Sequence, residues 1–158
     1  MELKNPLFAV RDIQASLTFY QGVLGLEVLS DFGANVTLRG GLSLQTLESW
    51  AEFLGKAPEE IAFGGSDAEV YFETVDFDGF LKTLDAMPQV ELVCPPLEHR
   101  WGQRVVRLYD PDRHIVEVGE SMVRVCRRFL DGGLNEEGIA RRMDVSLDFV
   151  RACLKQAR

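Results

Sequence analysis

No apolar run in this chain approaches the roughly 20 residues that a bilayer crossing requires, so a membrane partner is not expected. Cysteine is scarce. Cys94, Cys126 and Cys153 are widely spaced and form no CxxC pair. That argues against a disulfide framework or a zinc ribbon and fits a reducing compartment. Histidine is rarer still, with only His99 and His114 in 158 residues. The opening residues, MELKNPLFAV, lack the basic start and long apolar stretch of a secretion signal. A cytoplasmic location is therefore expected.

Positive charge is also scarce over most of the length. Residues 1–120 hold 9 Lys and Arg against 20 Asp and Glu, a balance of −11. Residues 121–158 hold 8 against 5, a balance of +3. The acidic body would repel phosphates, so nucleic acid is not an expected partner for it. The change of sign near residue 120 marks a second part. What is present in quantity is apolar: 46% of the residues, enough for a sizeable core in one domain with a short appendage.

The hydrophobic pattern reads β-α-β-β-β, twice. NPLFAV is strand-like. DIQASLTFYQGVLG has Ile13, Leu17 and Tyr20 at helical spacing, with Asp12 as N-cap and Gly25 as C-cap. LEVLSDFG, NVTLRG and LSLQTL follow as strands between glycine turns. After a connector with a short helix, on which Trp50 and Phe53 are expected in the core, the order returns. AEVYFETV, DFDGFLKTLDAM, VELVCPP, RVVRLYD and HIVEVG read strand, helix, strand, strand, strand. Asp12 lies over Asp76, Ile13 over Phe77 and Leu17 over Leu81 at a constant offset of 64. An internal repeat of this kind fixes architecture better than any single strand. The expected fold is α+β: two modules, about 1–48 and 66–120, forming a curved sheet around a cavity in a domain spanning 1–120. A helical extension follows over 121–158.

The stretches FAVRDIQASLTFYQGVLGLEV and WGQRVVRLYDPDRHIVEV resemble the vicinal oxygen chelate superfamily, which includes glyoxalase I, bleomycin-resistance proteins and extradiol dioxygenases. The resemblance implies metal ligands at four strand positions, which fall here on Asn5, Gln45, Glu69 and Glu117. Histidine is usual at the third, and histidine or glutamine at the first. These departures weaken a His-rich iron site. Oxygen ligation would favour Mn²⁺ or Mg²⁺, with Ni²⁺ or Zn²⁺ still open.

Strand alternation adds an independent argument. It places Asn5, Ser43, Gln45, Glu69, Tyr71, Glu73 and Glu117 on one inward face, three of them carboxylates with little cation nearby. Such a lining calls for a divalent metal or a cationic ligand. In a glyoxalase-like reaction Glu69 or Glu117 would be the catalytic base, with Tyr71, Glu73, Ser43, His99, Arg100 and Trp101 contacting substrate. Arg104 and Arg107 lie on opposite faces of one strand, so only one is inward. His114 is read as structural.

Three function classes follow. The first is a glyoxalase-like, divalent-metal lyase or isomerase for a small oxygenated substrate, expected as a homodimer. The second is a bleomycin-resistance-like protein that binds a cationic small molecule without turnover. The third is a ligand-sensing regulator that uses the tail. There, EEGIARRMDVSLDFVRACL resembles a helix-turn-helix, with Ser146 capping its second helix. That helix offers only Asp148, Arg151 and Lys155 toward DNA, so a docked helical cap is the preferred reading of the tail.

Overall fold

The computed structural model describes residues 1–156. It contains β1 (Leu7–Val10), α1 (Ile13–Gly22), β2 (Val28–Asp31), β3 (Asn35–Leu38), β4 (Ser43–Thr46) and α2 (Leu47–Leu54). After a 3-10 turn come β5 (Glu69–Thr74), α3 (Phe77–Asp85), β6 (Leu92–Glu98), β7 (Arg104–Tyr109) and β8 (Ile115–Glu120). The tail holds α4 (Met122–Asp131), α5 (Glu136–Met143) and α6 (Leu147–Gln156). The α+β class and the repeat are as expected. The two four-stranded sheets run β1-β4-β3-β2 and β5-β8-β7-β6, the same order in each module.

The repeat is legible at its helix starts. Asp12 accepts hydrogen bonds from the N–H groups of Gln14 and Ala15, and Asp76 accepts one from Gly79. These carboxylates satisfy donors that the first turn of a helix leaves open. The end of α1 differs from expectation. The helix stops at Gly22, and Gly25 instead takes a left-handed conformation (φ 67°) with its N–H bonded to the Gln21 carbonyl.

The chain divides into two compact units. The first comprises Met1–Glu69 with Tyr109–Ile115; the second comprises Val70–Leu108 and the residues from Val116 on. In the first unit β1 pairs parallel with β4, while β3 pairs antiparallel with both β2 and β4. Alternation gives the sheet an apolar face built from Val10, Val36, Leu38 and Leu44, all essentially inaccessible. Its other face is polar, with Asn35 opposite Gln45 and Thr37 opposite Ser43.

Asp110 organises the turn after β7. It is buried, and it accepts from the Tyr20 hydroxyl at 2.9 Å and from the backbone N–H groups of Asp112 and His114. His114 Nδ1 lies 2.8 Å from its second oxygen. Burial, then the negative charge of Asp110, pushes the Tyr20 hydroxyl far above the ordinary tyrosine range. Arg11 closes the turn through Asp112, by backbone N–H and guanidinium. His114 stacks on Phe8 with ring centroids 4.2 Å apart, which fits its structural reading. On α2 the buried residue is Ala51, Trp50 is half-buried, and Phe53 is 69% exposed, against expectation. Phe53 lies about 200° around the helix from Ala51.

In the second unit the tail forms the three expected helices. They share an apolar core of Val125, Cys126, Ile139, Met143, Val150 and Cys153. Ser146 caps α6 through the Phe149 N–H, and Asp144 takes the left-handed turn position (φ 59°). The tail also touches the turn between β6 and β7. Phe129 of α4 packs on Gly102, where an added Cβ would come within 2.1 Å of the ring. Arg128 donates to the Gly102 carbonyl.

Candidate functional site

The positions singled out by resemblance have different surroundings in the two units. In the first unit Gln45 and its neighbour Ser43 are neutral and buried, while Asn5 is exposed. Gln45 is 4% exposed and accepts from Asn35 Nδ2 at 2.8 Å while donating to Ser49. Ser43, 1% exposed, receives Asn5 Nδ2 and lies 3.1 Å from the Thr37 hydroxyl. Side-chain amides and hydroxyls thus satisfy one another across β3 and β4, as buried polar groups must. Glu69, at the start of β5, is exposed.

The second unit carries the charge. Every residue of β8 is buried, and Glu117 is 5% exposed. The guanidinium of Arg107, on β7, is ion-paired with its carboxylate. The two arginines of β7 therefore divide between two partners. Arg107 serves Glu117, and Arg104 serves Glu120 through a two-pronged contact at 3.1 Å, with Asp78 at 2.8 Å. Arg128 of α4 joins Glu120 at 3.0 Å. Burial alone would raise the Glu120 carboxyl; hydrogen bonds from Arg104 and Arg128 outweigh it and hold it below the usual carboxylate range.

Tyr71 belongs to the face of Glu117. It is 44% exposed; its hydroxyl donates to Glu73 at 2.9 Å and accepts from Gln103 Nε2 at 2.6 Å. Burial, with the charges of Glu73 and Glu117, outweighs the Gln103 bond and pushes its hydroxyl up to about 12. Gly119 makes room for this contact: a Cβ there would lie 2.8 Å from Gln103 Nε2 and 3.0 Å from the Tyr71 ring. Trp101 donates to Gln103 at 3.3 Å and stacks with His99, centroids 4.2 Å apart. Arg100 is exposed.

The expectation of little cation near the inward carboxylates is corrected here. Glu69 and Glu73 are exposed, and the buried one, Glu117, has Arg107. The sequence reading missed Gln103 and left Arg107 undecided. Alternation could not have found either, because it relates residues within one strand and not across β7 and β8.

A divalent ion at Glu117 would face the Arg107 guanidinium, which already supplies the compensating charge. Among the described residues no three His, Cys, Asp or Glu side chains gather in a group that could hold a metal. As arranged, the Glu117 surroundings do not fit a metal ligand. What they do offer is a buried carboxylate, a fixed cation and a protonated phenol on one face. That set can move a proton and stabilise an oxyanion.

The family model of a glyoxalase-like domain matches residues 3–123. Among solved structures, a protein of unknown function from Agrobacterium tumefaciens is 41% identical, with a TM-score of 0.70 over 77% of this chain and 95% of its own. A glyoxalase/bleomycin resistance/dioxygenase family enzyme from Burkholderia phytofirmans PsJN is 20% identical, with a TM-score of 0.65 over 76% of this chain and 98% of its own. A lactoylglutathione lyase from Agrobacterium tumefaciens is 23% identical, with a TM-score of 0.59 over 76% and 93%. No curated protein matches. The family match ends at residue 123, so most of α4 and all of α5 and α6 lie beyond it.

Proposed function

The chain belongs to the glyoxalase-like family, and on that premise we propose that it is a small-molecule enzyme of the lyase or isomerase kind. Its oxygenated substrate would lie against the Tyr71, Gln103, Arg107 and Glu117 face of the second unit. The observation that carries this reading is the buried Glu117–Arg107 pair beside a tyrosine hydroxyl. Glu117 would accept the proton from the carbon next to a carbonyl. The C–H electron pair would form the C=C bond as the carbonyl π pair passes to oxygen, which hydrogen bonds from Arg107, or from a Tyr71 hydroxyl turned from Glu73, stabilise. Return of the proton to the former carbonyl carbon, as the substrate's hydroxyl proton passes to the former carbonyl oxygen, completes the isomerisation of an α-hydroxycarbonyl. Tyr71 remains a donor at neutral pH because its hydroxyl is pushed up to about 12. Homodimerisation and a cytoplasmic setting belong to the same proposal. No helix among the described residues is long and apolar enough to cross a membrane.

Bleomycin-resistance-like binding of a cation draws less support, because Arg107 already neutralises Glu117. A DNA-reading tail also draws less, because Arg151 of α6 is tied to Glu136 at 2.9 Å.

The test is proton exchange. Chelator-treated protein is incubated in D₂O with a panel of α-hydroxycarbonyl compounds, and deuterium at the α carbon is followed by NMR. Wild type should incorporate deuterium, and Glu117→Gln should be at least 100-fold slower. No exchange with or without Mn²⁺, Ni²⁺ or Zn²⁺ would overturn the proposal. Exchange that requires one bound equivalent of metal, absent from Glu117→Gln, would return Glu117 to a ligand role.

A further inference from the structure

A cleft of about 410 Å³ opens beside the β6–β7 turn. Arg100 and Trp101 line one side, and Arg141, Arg142, Met143 and Asp144, from the end of α5 and the turn after it, line the other. Three guanidinium groups and one carboxylate therefore share a small concave surface, in a chain whose net charge is −8. Two of the three arginines have protein partners. Arg142 donates to the Arg100 carbonyl and lies 3.4 Å from Glu98, which fixes α5 against the turn. Arg100 lies 3.8 Å from Asp144, but both side chains are more than four-fifths exposed, so solvent screens that attraction. Arg141 is exposed and has no ion-pair partner among the described residues.

Neighbouring cations repel unless an anion stands between them, and the cleft supplies only Asp144 as that anion. Planar guanidinium groups are suited to grip a phosphate or carboxylate through paired N–H donors. Trp101 gives the cleft a half-buried aromatic wall, held by its stack on His99. The wall is also wired: Trp101 donates to Gln103, and Gln103 donates to Tyr71.

We propose that this cleft is a binding site for the oxyanion group, phosphate or carboxylate, of a small organic molecule, with Arg141 and Arg100 as its principal contacts and Trp101 as its wall. The site lies where the family domain meets the tail that the family model does not cover. Its occupancy would be felt at Tyr71 through Gln103. The proposal is independent of the chemistry assigned to Glu117, since binding here needs no turnover.

Trp101 supplies the readout. The chain has two tryptophans, so Trp50→Phe leaves Trp101 as the sole emitter. That protein is titrated with inorganic phosphate and with citrate at constant ionic strength. At least one should give a saturable change in emission, weakened tenfold or more by Arg141→Ala and by Arg100→Ala. Arg39→Ala, which alters an exposed pair with Glu27 in the first unit, should leave it unchanged. Saturation by phosphate alone assigns a phosphate ligand, and by citrate alone a carboxylate. The proposal is overturned if neither saturates, if chloride reproduces the response, or if Arg141→Ala binds like its parent. A ligand-induced rise in melting temperature, lost in Arg141→Ala, is the second measurement.

Discussion

The guanidinium of Arg107 holds the carboxylate of Glu117 on the neighbouring strand. This accounts for a glutamate set among Ile115, Val116 and Val118, where an apolar side chain would pack well. The Glu117 side chain is only 7% exposed, so its charge depends on this cation. Removing one partner strands the other. Arg107→Met is expected to cost about 3–5 kcal/mol in denaturant unfolding, and Glu117→Gln a smaller amount of the same sign. Arg107→Met combined with Glu117→Leu should recover most of the loss. A single-mutant cost below about 1 kcal/mol would mean that the pair does not hold the sheet.

Gly102 meets two demands at once. Its φ is 89°, a region costly for any residue with a Cβ, and the Phe129 ring occupies the space that a Cβ would take. Gly102→Ala should therefore destabilise by about 2 kcal/mol or more. In a Phe129→Ala background the same substitution should cost less, because only the backbone term remains. Thermal denaturation of the four proteins checks this, and equal costs in both backgrounds would place the strain elsewhere.

Glu120 gives the fold an acid limit. Its folded pKa lies below the usual carboxylate range, so the stability it contributes is fully present above the unfolded value of about 4.3. That stability is lost as pH falls from there through the folded pKa. Glu120→Gln should lower the melting temperature at neutral pH, and the gap to wild type should shrink below about pH 5. A gap that stays constant from pH 7 to pH 3 would show that the arginines contribute nothing through charge.

The repeat was legible because its markers are local. Asp12 and Asp76 cap their helices by bonds to residues two or three positions on, and the offset of 64 carries over from string to fold. The polar face of the first sheet was legible too, since alternation alone puts Ser43 and Gln45 together. Charge compensation was not. Parity separates Arg104 from Arg107 but says nothing of which carboxylate each will meet, and that depends on strands far apart in sequence. Phe53 failed for a related reason. Spacing three from Trp50 suggested a common buried face, but the eight-residue helix turns its inward side at Ala51. The cleft at Arg141 escaped notice because it needs the tail folded back on a turn some 40 residues earlier.

The hydrogen bonds of Asp110 and Asp112 have a consequence for the order of events during synthesis. Tyr20 and Arg11 emerge early, yet their acceptors are about 90 and 101 residues further along the chain. A nascent chain that has reached only residue 69 would hold a buried phenol without its acceptor and a β1 end without its clasp. The contacts that complete the first unit therefore form only after residues 110 and 112 have been made. Folding limited by such distant contacts is slow. A fragment ending at Glu69 should fail to fold alone, whereas one extending past Ile115 contains every residue assigned to that unit.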